Sequence, residues 1–282
     1  MPEITSPLIS VDWLQRHLGD PNLVILDASV PPVVPGFQAL NAGATFRAIP
    51  GARRFDYDKT ICKPGTSLPH MMPTAEHFQQ EVRKLGINRD SVIVVYDDVG
   101  VYASPRAWWM FRAMGHAAVA VLDGGLPAWI DAGLPVTDSL ASAAQGDFVA
   151  SLDPDLFCDF EVVLAALDDS SCQILDARSA GRFHGTAPEP RPGMRSGHMP
   201  NAKNLPFPDV LEGGRMKPVA ELQSLFANLA QPEQRVITSC GSGLTACVLT
   251  LAANLAGYNR LSVYDGSWAE WGAPGHLPVV TD

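Results

Sequence analysis

One cysteine of this sequence stands where a nucleophile is expected. Cys240 follows a short β-branched run, and residues 241–246 read Gly-Ser-Gly-Leu-Thr-Ala before a helical pattern. Backbone N–H groups at a helix start have no partner within the helix, and the aligned peptide dipoles add positive potential there. Glycines let such a loop curl so that several N–H groups point at one anion. A cysteine at that focus is stabilised as a thiolate, so we expect a nucleophilic sulfur that solvent can reach.

The other four cysteines have no comparable position. A lone cysteine is most often a small buried hydrophobic residue, and none of the five has the CxxC spacing of a zinc ribbon. Because the chain has only five cysteines, a small and odd number, we expect neither a disulfide framework nor a metal site. These four residues are Cys62, Cys158, Cys172 and Cys247.

Three other chemistries fit this loop less well. Gly241, Gly243 and Ala246 match a dinucleotide fingerprint, but too little chain follows for the rest of such a domain. A cysteine phosphatase needs an arginine six residues after its nucleophile, where this sequence has alanine. A cysteine hydrolase needs a histidine base, and His184 and His198 are candidates that the sequence alone does not place.

The sequence repeats itself once, which indicates a tandem duplication. Four landmarks return in the same order, at an offset that falls from 149 to 142. The first copy therefore carries extra residues after its Pro-Gly turn. The landmarks are VILDA at 24–28 and QILDA at 173–177, IPGA at 49–52 and MPNA at 199–202, LDGG at 122–125 and YDGS at 264–267, and Trp129 and Trp271.

Both copies alternate strand and helix patterns. Ser104-Pro105 begins a helix that Gly115 ends, and apolar residues at helical spacing run from Leu244 to Leu255 before Gly257. Strand, helix, strand at this spacing predicts a parallel sheet with crossover helices. The β-branched runs that predict buried strands are 91–96, 117–122, 235–239 and 261–264.

We therefore expect an α/β fold of two tandem domains, each a mainly parallel sheet flanked by helices. A stretch of small polar residues at 137–146 suggests the connection between them. The expected domains are 1–138 and 157–282, joined by a linker over 139–156. Asp97 and Asp98 stand in the first copy where the second has Cys240, and they offer no thiol and repel anions. The first domain is accordingly expected to be catalytically silent.

Composition narrows the classes of partner. The chain has 20 basic and 30 acidic residues, a net charge of −10, which disfavours nucleic-acid binding. No apolar run approaches the roughly 18 residues of a membrane span, and the N-terminus lacks a signal-peptide pattern. We expect no membrane association and a cytoplasmic location.

Taken together, these features resemble the tandem-domain rhodanese family of sulfurtransferases. The likeness covers essentially the whole chain and rests on the ILDA strands, the Pro-Gly turns, the DGG and DGS endings and the segment 103–116 (ASPRAWWMFRAMGH). A CGSG loop followed by an aliphatic residue and Thr-Ala is similar to the members that use 3-mercaptopyruvate. Members that prefer thiosulfate typically place Arg and Lys where Gly241 and Ser242 stand here.

The resemblance implies a sulfur transfer in two steps. Cys240 would take sulfur from 3-mercaptopyruvate as a persulfide, and a thiol, cyanide or a thioredoxin-like protein would remove it. It implies no cofactor and no metal, and a monomer or weak homodimer. A thiosulfate sulfurtransferase and a non-enzymatic persulfide carrier remain alternatives. The loop residues implied to contact the substrate are Gly241, Ser242, Gly243, Leu244 and Thr245.

Further site residues are implied outside the loop. The family pattern carries substrate binding onto Arg182, in GRF, and Arg191, in EPR, and a guanidinium fork suits an α-keto acid. The alternative is that these arginines pair with Glu189, Asp176 or carbonyl groups.

A relay through a serine, a histidine and an aspartate has also been proposed for the mercaptopyruvate enzymes. By position its members here would be Ser242, His70 and Asp58. Asp58 and His70 are 12 residues apart, about one more than the family's spacing, so a role for Ser242 as a donor to the substrate is the simpler expectation.

Overall fold

The computed structural model describes residues 2–43 and 45–281, which form two compact units. The first unit takes the chain up to Pro64, Met72–Asp153 and Gly213–Met216. The second unit takes Gly65–Met71, Pro154–Glu212 and the chain from Lys217 onward. No helix in the described part of the chain is long and apolar enough to span a membrane.

The first unit is built on a five-stranded parallel sheet with the strand order β1-β5-β4-β2-β3. Its strands are β1 (Leu8–Ile9), β2 (Leu23–Asp27), β3 (Arg53–Arg54), β4 (Val92–Tyr96) and β5 (Val119–Leu122). Its helices are α1 (Val11–His17), α2 (Ala75–Lys84), α3 (Ser104–Ala113) and α4 (Gly125–Asp131).

The second unit repeats this sheet in the order β6-β12-β11-β7-β8, again with parallel pairs. Its sheet strands are β6 (Phe157–Cys158), β7 (Cys172–Asp176), β8 (Lys203–Asn204), β11 (Arg235–Ser239) and β12 (Leu261–Tyr264). Two further short strands, β9 (Leu211–Glu212) and β10 (Arg215–Met216), lie outside the two five-stranded sheets. The helices of the second copy are α5 (Phe160–Ala166), α6 (Ala180–Phe183), a 3₁₀ turn (Phe207–Val210), α7 (Val219–Ala227), α8 (Ala246–Leu255) and α9 (Ser267–Trp271).

Matching registers confirm the duplication and the predicted fold class. Asp27 pairs with Tyr96 at the end of β2 and β4, as Asp176 pairs with Ser239 at the end of β7 and β11. The repeated tryptophans behave alike: the indole N–H of Trp129 donates to the Pro135 carbonyl at 2.8 Å, and that of Trp271 to the Pro278 carbonyl at 2.7 Å. In both copies the segment after the last helix is therefore fixed to that helix by the same tryptophan hydrogen bond.

Each unit has its own hydrophobic core around the sheet. Burying one large apolar side chain contributes about 1.5–3 kcal/mol, so each cluster can stabilise its own unit. Fully buried members include Leu14, Val94, Leu122 and Trp129 in the first unit, and Val163, Ile237 and Trp271 in the second.

The segment that follows α4 packs along the first unit. The amide of Gly146 donates to the Arg83 carbonyl at 2.8 Å, and the amide of Phe148 to the Ile87 carbonyl at 3.1 Å. Phe148 is only 1% exposed. Residues of the expected linker up to Asp153 are thus held by the first unit, and the second begins at Pro154.

Candidate active site

Cys240 is the first residue after β11, and the start of α9 fixes its backbone. The Cys240 amide donates to Ser267 Oγ at 3.1 Å, and its carbonyl accepts the Trp268 amide at 2.9 Å. The Gly241 carbonyl accepts the Ala269 amide at 2.9 Å. Three hydrogen bonds therefore hold the chain at the candidate nucleophile.

The sulfur-bearing residue is more enclosed than the sequence suggested. Cys240 is 2% exposed, so the expectation of an open sulfur was wrong. The reason is that α9 covers the end of β11, while Gly241 and Ser242 are half-buried.

The loop after Cys240 presents backbone amides that have no acceptor. Within residues 2–43 and 45–281, the amides of Gly241, Ser242, Leu244 and Thr245 donate to no protein group. Helix α8 has no side-chain cap at its start. The orphan N–H groups and the helix dipole therefore favour an anion supplied from outside this loop.

The matching loop of the first unit already holds an anion of its own. Asp97 follows β4 as Cys240 follows β11, and it is fully buried. Its Oδ1 accepts the amides of Val99 and Gly100, both at 3.1 Å. Its Oδ2 accepts the amides of residues 102, 103 and 104 at 2.8–3.1 Å and the Ser104 hydroxyl at 2.7 Å. The folded loop is an anion cradle, and in this copy a carboxylate of the chain occupies it.

Asp98, the second carboxylate of that loop, is less well accommodated. Burial raises the pKa of Asp98 above its ordinary value, and the neighbouring Asp97 and Asp27 carboxylates add to the shift. The Asn41 amide, 3.2 Å from Asp98 Oδ2, and the Ser29 hydroxyl oppose it.

Both predicted arginines lie against the Cys240 loop. Arg182 Nη2 is 3.2 Å from the position that a Cβ on Gly241 would take. Arg191 Nη1 donates to the Gly241 carbonyl at 3.4 Å. The structure therefore brings two guanidinium groups to the first residue after the thiol.

The alternative interpretation, in which these arginines pair with carboxylates of the chain, is correct for Arg182, which pairs with Glu189. Arg182 Nη2 lies 2.5 Å from Glu189 Oε2, and Arg178 Nη1 lies 2.8 Å from Glu189 Oε1. Arg178 Nη2 in turn lies 2.7 Å from Asp176 Oδ2. Glu189 thus orients Arg182 directly, whereas Asp176 contacts only Arg178. The Arg182 Nη1 and Nη2 atoms remain near Gly241.

Arg178 is a site-supporting residue that the sequence analysis missed. It is fully buried, and its guanidinium carbon lies 3.9 Å above the Trp268 ring. Burial alone would lower the pKa of Arg178, but the paired Asp176 and Glu189 carboxylates outweigh it and raise the pKa. The signal was its position two residues after Asp176, which allows a local pair.

The proposed relay residues are distributed over both units. Ser242 is half-buried in the loop, and His70, with a left-handed φ of +60°, belongs to Gly65–Met71 of the second unit. Asp58 belongs to the first unit, where its carbonyl accepts the Cys62 thiol at 3.6 Å. The relay itself stays a prediction.

The two histidines considered for a hydrolase lie around Phe183. The His198 ring stacks on Phe183 with 3.8 Å between centroids, and its Nδ1 lies 2.9 Å from the Phe183 carbonyl oxygen. His184 meets the same ring edge-on at 5.1 Å. Packing accounts for both positions.

Three of the remaining cysteines are unfavourable places for a thiolate. Burial raises the pKa of Cys158 to about 11 and also raises that of Cys62 and Cys172. Cys247 is fully buried, and its thiol donates to the Gly243 carbonyl at 3.4 Å. In the described ranges, no three His, Cys, Asp or Glu side chains are grouped as metal ligands.

Known proteins are similar to this chain in both sequence and fold. It is 37% identical over 278 residues to the 3-mercaptopyruvate sulfurtransferase of Escherichia coli K12, with 98% of each chain covered. It is 40% identical over 303 residues to thiosulfate/3-mercaptopyruvate sulfurtransferase 1, mitochondrial, of Arabidopsis thaliana, with 98% of this chain and 78% of that one covered. The crystal structure of the 3-mercaptopyruvate sulfotransferase SseA from Escherichia coli gives a TM-score of 0.82 at 34% identity, covering 94% of this chain and 100% of that one.

The model of the rhodanese-like domain matches the chain twice, once in each copy. The matched residues are 10–132 and 159–274, and the second match contains Cys240 with its loop. Since these two matches span most of the sequence, the chain belongs to the rhodanese family as a protein of two tandem rhodanese-like domains.

Proposed function

We propose that this chain is a 3-mercaptopyruvate sulfurtransferase that works through a persulfide on Cys240. The observation that carries the proposal is a thiol at a strand end, followed by amides without an acceptor in the described chain and flanked by Arg182 and Arg191. Such a site suits a small anionic donor of sulfur. The two curated relatives compared above carry 3-mercaptopyruvate in their names, which supports this choice of donor.

In the first half-reaction the Cys240 thiolate attacks the sulfur of 3-mercaptopyruvate. An S–S bond forms and the C–S bond breaks. The electron pair stays on carbon as the enolate of pyruvate, which takes up a proton and leaves as pyruvate. In the second half-reaction a thiol, cyanide or a thioredoxin-like protein attacks the outer sulfur and restores the Cys240 thiolate. Neither step needs a metal or an organic cofactor.

The loop amides supply the electrostatic stabilisation for both steps. The N–H groups of Gly241, Ser242, Leu244 and Thr245, which have no acceptor in the described chain, would stabilise the charge that develops on sulfur. The Asp97 cradle supports this role, because the corresponding loop of the first unit binds a carboxylate through five amides.

Two arginines would bind the carboxylate and keto oxygens of the donor. Arg178, Arg182 and Arg191 carry three positive charges against the two of Asp176 and Glu189, so the site keeps a positive balance. This local field offsets the net charge of −10 for a negatively charged substrate.

We assign catalysis to residues 157–282 and a silent role to residues 1–138, with 139–156 as the connection. Asp97 supports the silent role, because a carboxylate replaces the thiol there. Ser242 would donate a hydrogen bond to the substrate, and the relay through His70 and Asp58 would adjust that hydroxyl. The proposal includes a cytoplasmic location and a monomer or weak homodimer.

A thiosulfate sulfurtransferase is the second candidate. Thiosulfate is also a small anionic sulfur donor, and one relative carries both donors in its name. The loop favours mercaptopyruvate, since Gly241 and Ser242 offer no cationic side chain for a sulfonate. Specificity constants for both donors on one preparation decide between them. The remaining alternative, a non-enzymatic persulfide carrier, would hold the persulfide on Cys240 but turn over neither donor.

Intact-mass spectrometry after mixing with 3-mercaptopyruvate tests the proposal. We expect a gain of one sulfur atom, located on the peptide that contains Cys240, with pyruvate released in equal amount. Cys240→Ser should lose more than nine-tenths of the turnover while keeping its fold, because serine lacks a comparable nucleophile at neutral pH. The matched control is Cys172→Ser, which should load and turn over normally. Turnover by Cys240→Ser above a tenth of the wild-type rate contradicts the proposal.

A further inference from the structure

Ser267 has an unfavourable backbone conformation directly beside Cys240. Its φ is +50°, in the left-handed region that residues with a side chain rarely adopt. The residue is fully buried, and its Oγ accepts the Cys240 amide at 3.1 Å and donates to the Tyr264 carbonyl at 2.8 Å. Strained residues persist where the surroundings hold them, and they cluster at functional sites.

The first copy has glycine at the matching place. Gly125 begins α4 as Ser267 begins α9, and its φ of +55° is nearly the same. A Cβ on Gly125 would overlap the Asp97 carbonyl oxygen and lie 2.5 Å from that of Gly100. The first loop therefore rests directly on this residue and leaves no room for a side chain.

The second copy keeps a side chain in that space. The loop is braced in the same way in both copies, since the Leu126 amide donates to the Asp97 carbonyl and the Trp268 amide to the Cys240 carbonyl, both at 2.9 Å. The difference lies in the residue beneath the loop. Glycine would adopt the left-handed backbone without strain, so what serine adds at this position is its side chain.

We propose that Ser267 is a positioning residue that holds the Cys240 loop away from the start of α9. Its Cβ acts as a spacer, and its hydroxyl binds the Cys240 amide and so fixes the backbone that carries the sulfur. Without this residue the loop would settle onto α9 as the Asp97 loop settles onto Gly125. The inference rests on the proposed function of Cys240 and adds a requirement for its geometry.

Three variants separate the spacer, the hydroxyl and the general effect of losing a buried serine. Ser267→Gly removes spacer, hydroxyl and strain, whereas Ser267→Ala removes only the hydroxyl. Ser262→Ala is the matched control, since Ser262 is a fully buried serine in β12 that bonds to Arg235 at 3.2 Å. The readouts are the rate of sulfur loading in a single turnover, the KM for 3-mercaptopyruvate and the urea midpoint of unfolding.

We expect Ser267→Gly to keep a urea midpoint close to that of the wild type, because relief of the left-handed strain offsets the loss of the Ser267 hydrogen bonds. Its rate of sulfur loading should fall at least about tenfold, because the variant loses the hydrogen bond to the Cys240 amide and with it the orientation of the thiol. The KM should change by less than about twofold, because Arg182 and Arg191 are untouched. Ser267→Ala should load at an intermediate rate, and Ser262→Ala should match the wild type.

Two results would overturn the inference. One is a Ser267→Gly variant that is folded and loads sulfur at the wild-type rate. The other, if that variant folds poorly, is a Ser267→Ala variant that loads at the wild-type rate. A wild-type protein that takes up no sulfur refutes the proposed function instead. In that case the rate of Cys240 alkylation by iodoacetamide still tests the positioning, because Ser267→Gly should change this rate and Ser262→Ala should not.

Discussion

Replacing Asp97 with alanine tests whether the first loop depends on its internal anion. The carboxylate accepts five amides and one hydroxyl, and it is fully buried. Hydrogen bonds to a charged group contribute about 1.5–3 kcal/mol each in isolation, but bonds that share one acceptor are far from additive. If two of these bonds count as independent, losing their common acceptor costs about 3–5 kcal/mol. We expect Asp97→Ala to lose that much free energy of unfolding.

Native-state hydrogen exchange read by mass spectrometry is the suitable assay, because it resolves the two units of the chain. Peptides from β4 and α3 should exchange faster in Asp97→Ala, by the factor that corresponds to the lost stability. Peptides from β11 and α8 should change little, since they belong to the other unit. A loss of less than about 1 kcal/mol in the first unit would refute the interpretation of this loop as an anion cradle.

Two other predictions concern charged residues at the two loops. Arg182→Ala should raise the KM for 3-mercaptopyruvate by about ten- to a hundredfold, which corresponds to the loss of one charge-assisted hydrogen bond. The control in the same steady-state assays is Arg195→Ala, because the Arg195 guanidinium binds only the Trp271 and Leu277 carbonyls among the contacts described above. An unchanged KM removes Arg182 from the site. Asp98→Asn should stabilise the protein near neutral pH, because the pKa of Asp98 is raised in the folded state and its charged form is therefore disfavoured. This advantage should shrink as the pH falls through the raised pKa and vanish below the ordinary value of 3.8, as urea unfolding at several pH values can show. An advantage that grows towards acid pH contradicts this sign.

Local patterns were sufficient for most of the secondary structure around the site. The runs 235–239 and 261–264 coincide with β11 and β12, because buried β-branched strands have a strong sequence signal. The start of α8 was less predictable. Leu244 has the spacing of the helix and is buried, yet the helix begins at Ala246. The spacing of apolar residues indicates which side chains are buried, but it does not indicate which backbone amides remain outside the helix.

The finer geometry of the site depends on tertiary contacts that no single pattern contains. The enclosure of Cys240 results from α9, which follows 27 residues later in the chain. The left-handed Ser267 was hidden because serine is not the residue that this conformation favours. Comparison of the copies offered a clue, since DGG in the first becomes DGS in the second, but its meaning required the position of the loop above it.

The two copies differ at the loop in a way that supports our proposal of a silent first domain and a catalytic second one. Both loops gather amides at a helix start, and such groups need an acceptor wherever they are buried. In the first copy Asp97 provides it permanently, and Gly125 lets the loop rest on the neighbouring helix. In the second copy the acceptor is absent from the loop, and Ser267 keeps the space beneath it filled. Under the proposed function, the stability that the first loop gains from its own carboxylate would be supplied in the second loop by the bound substrate.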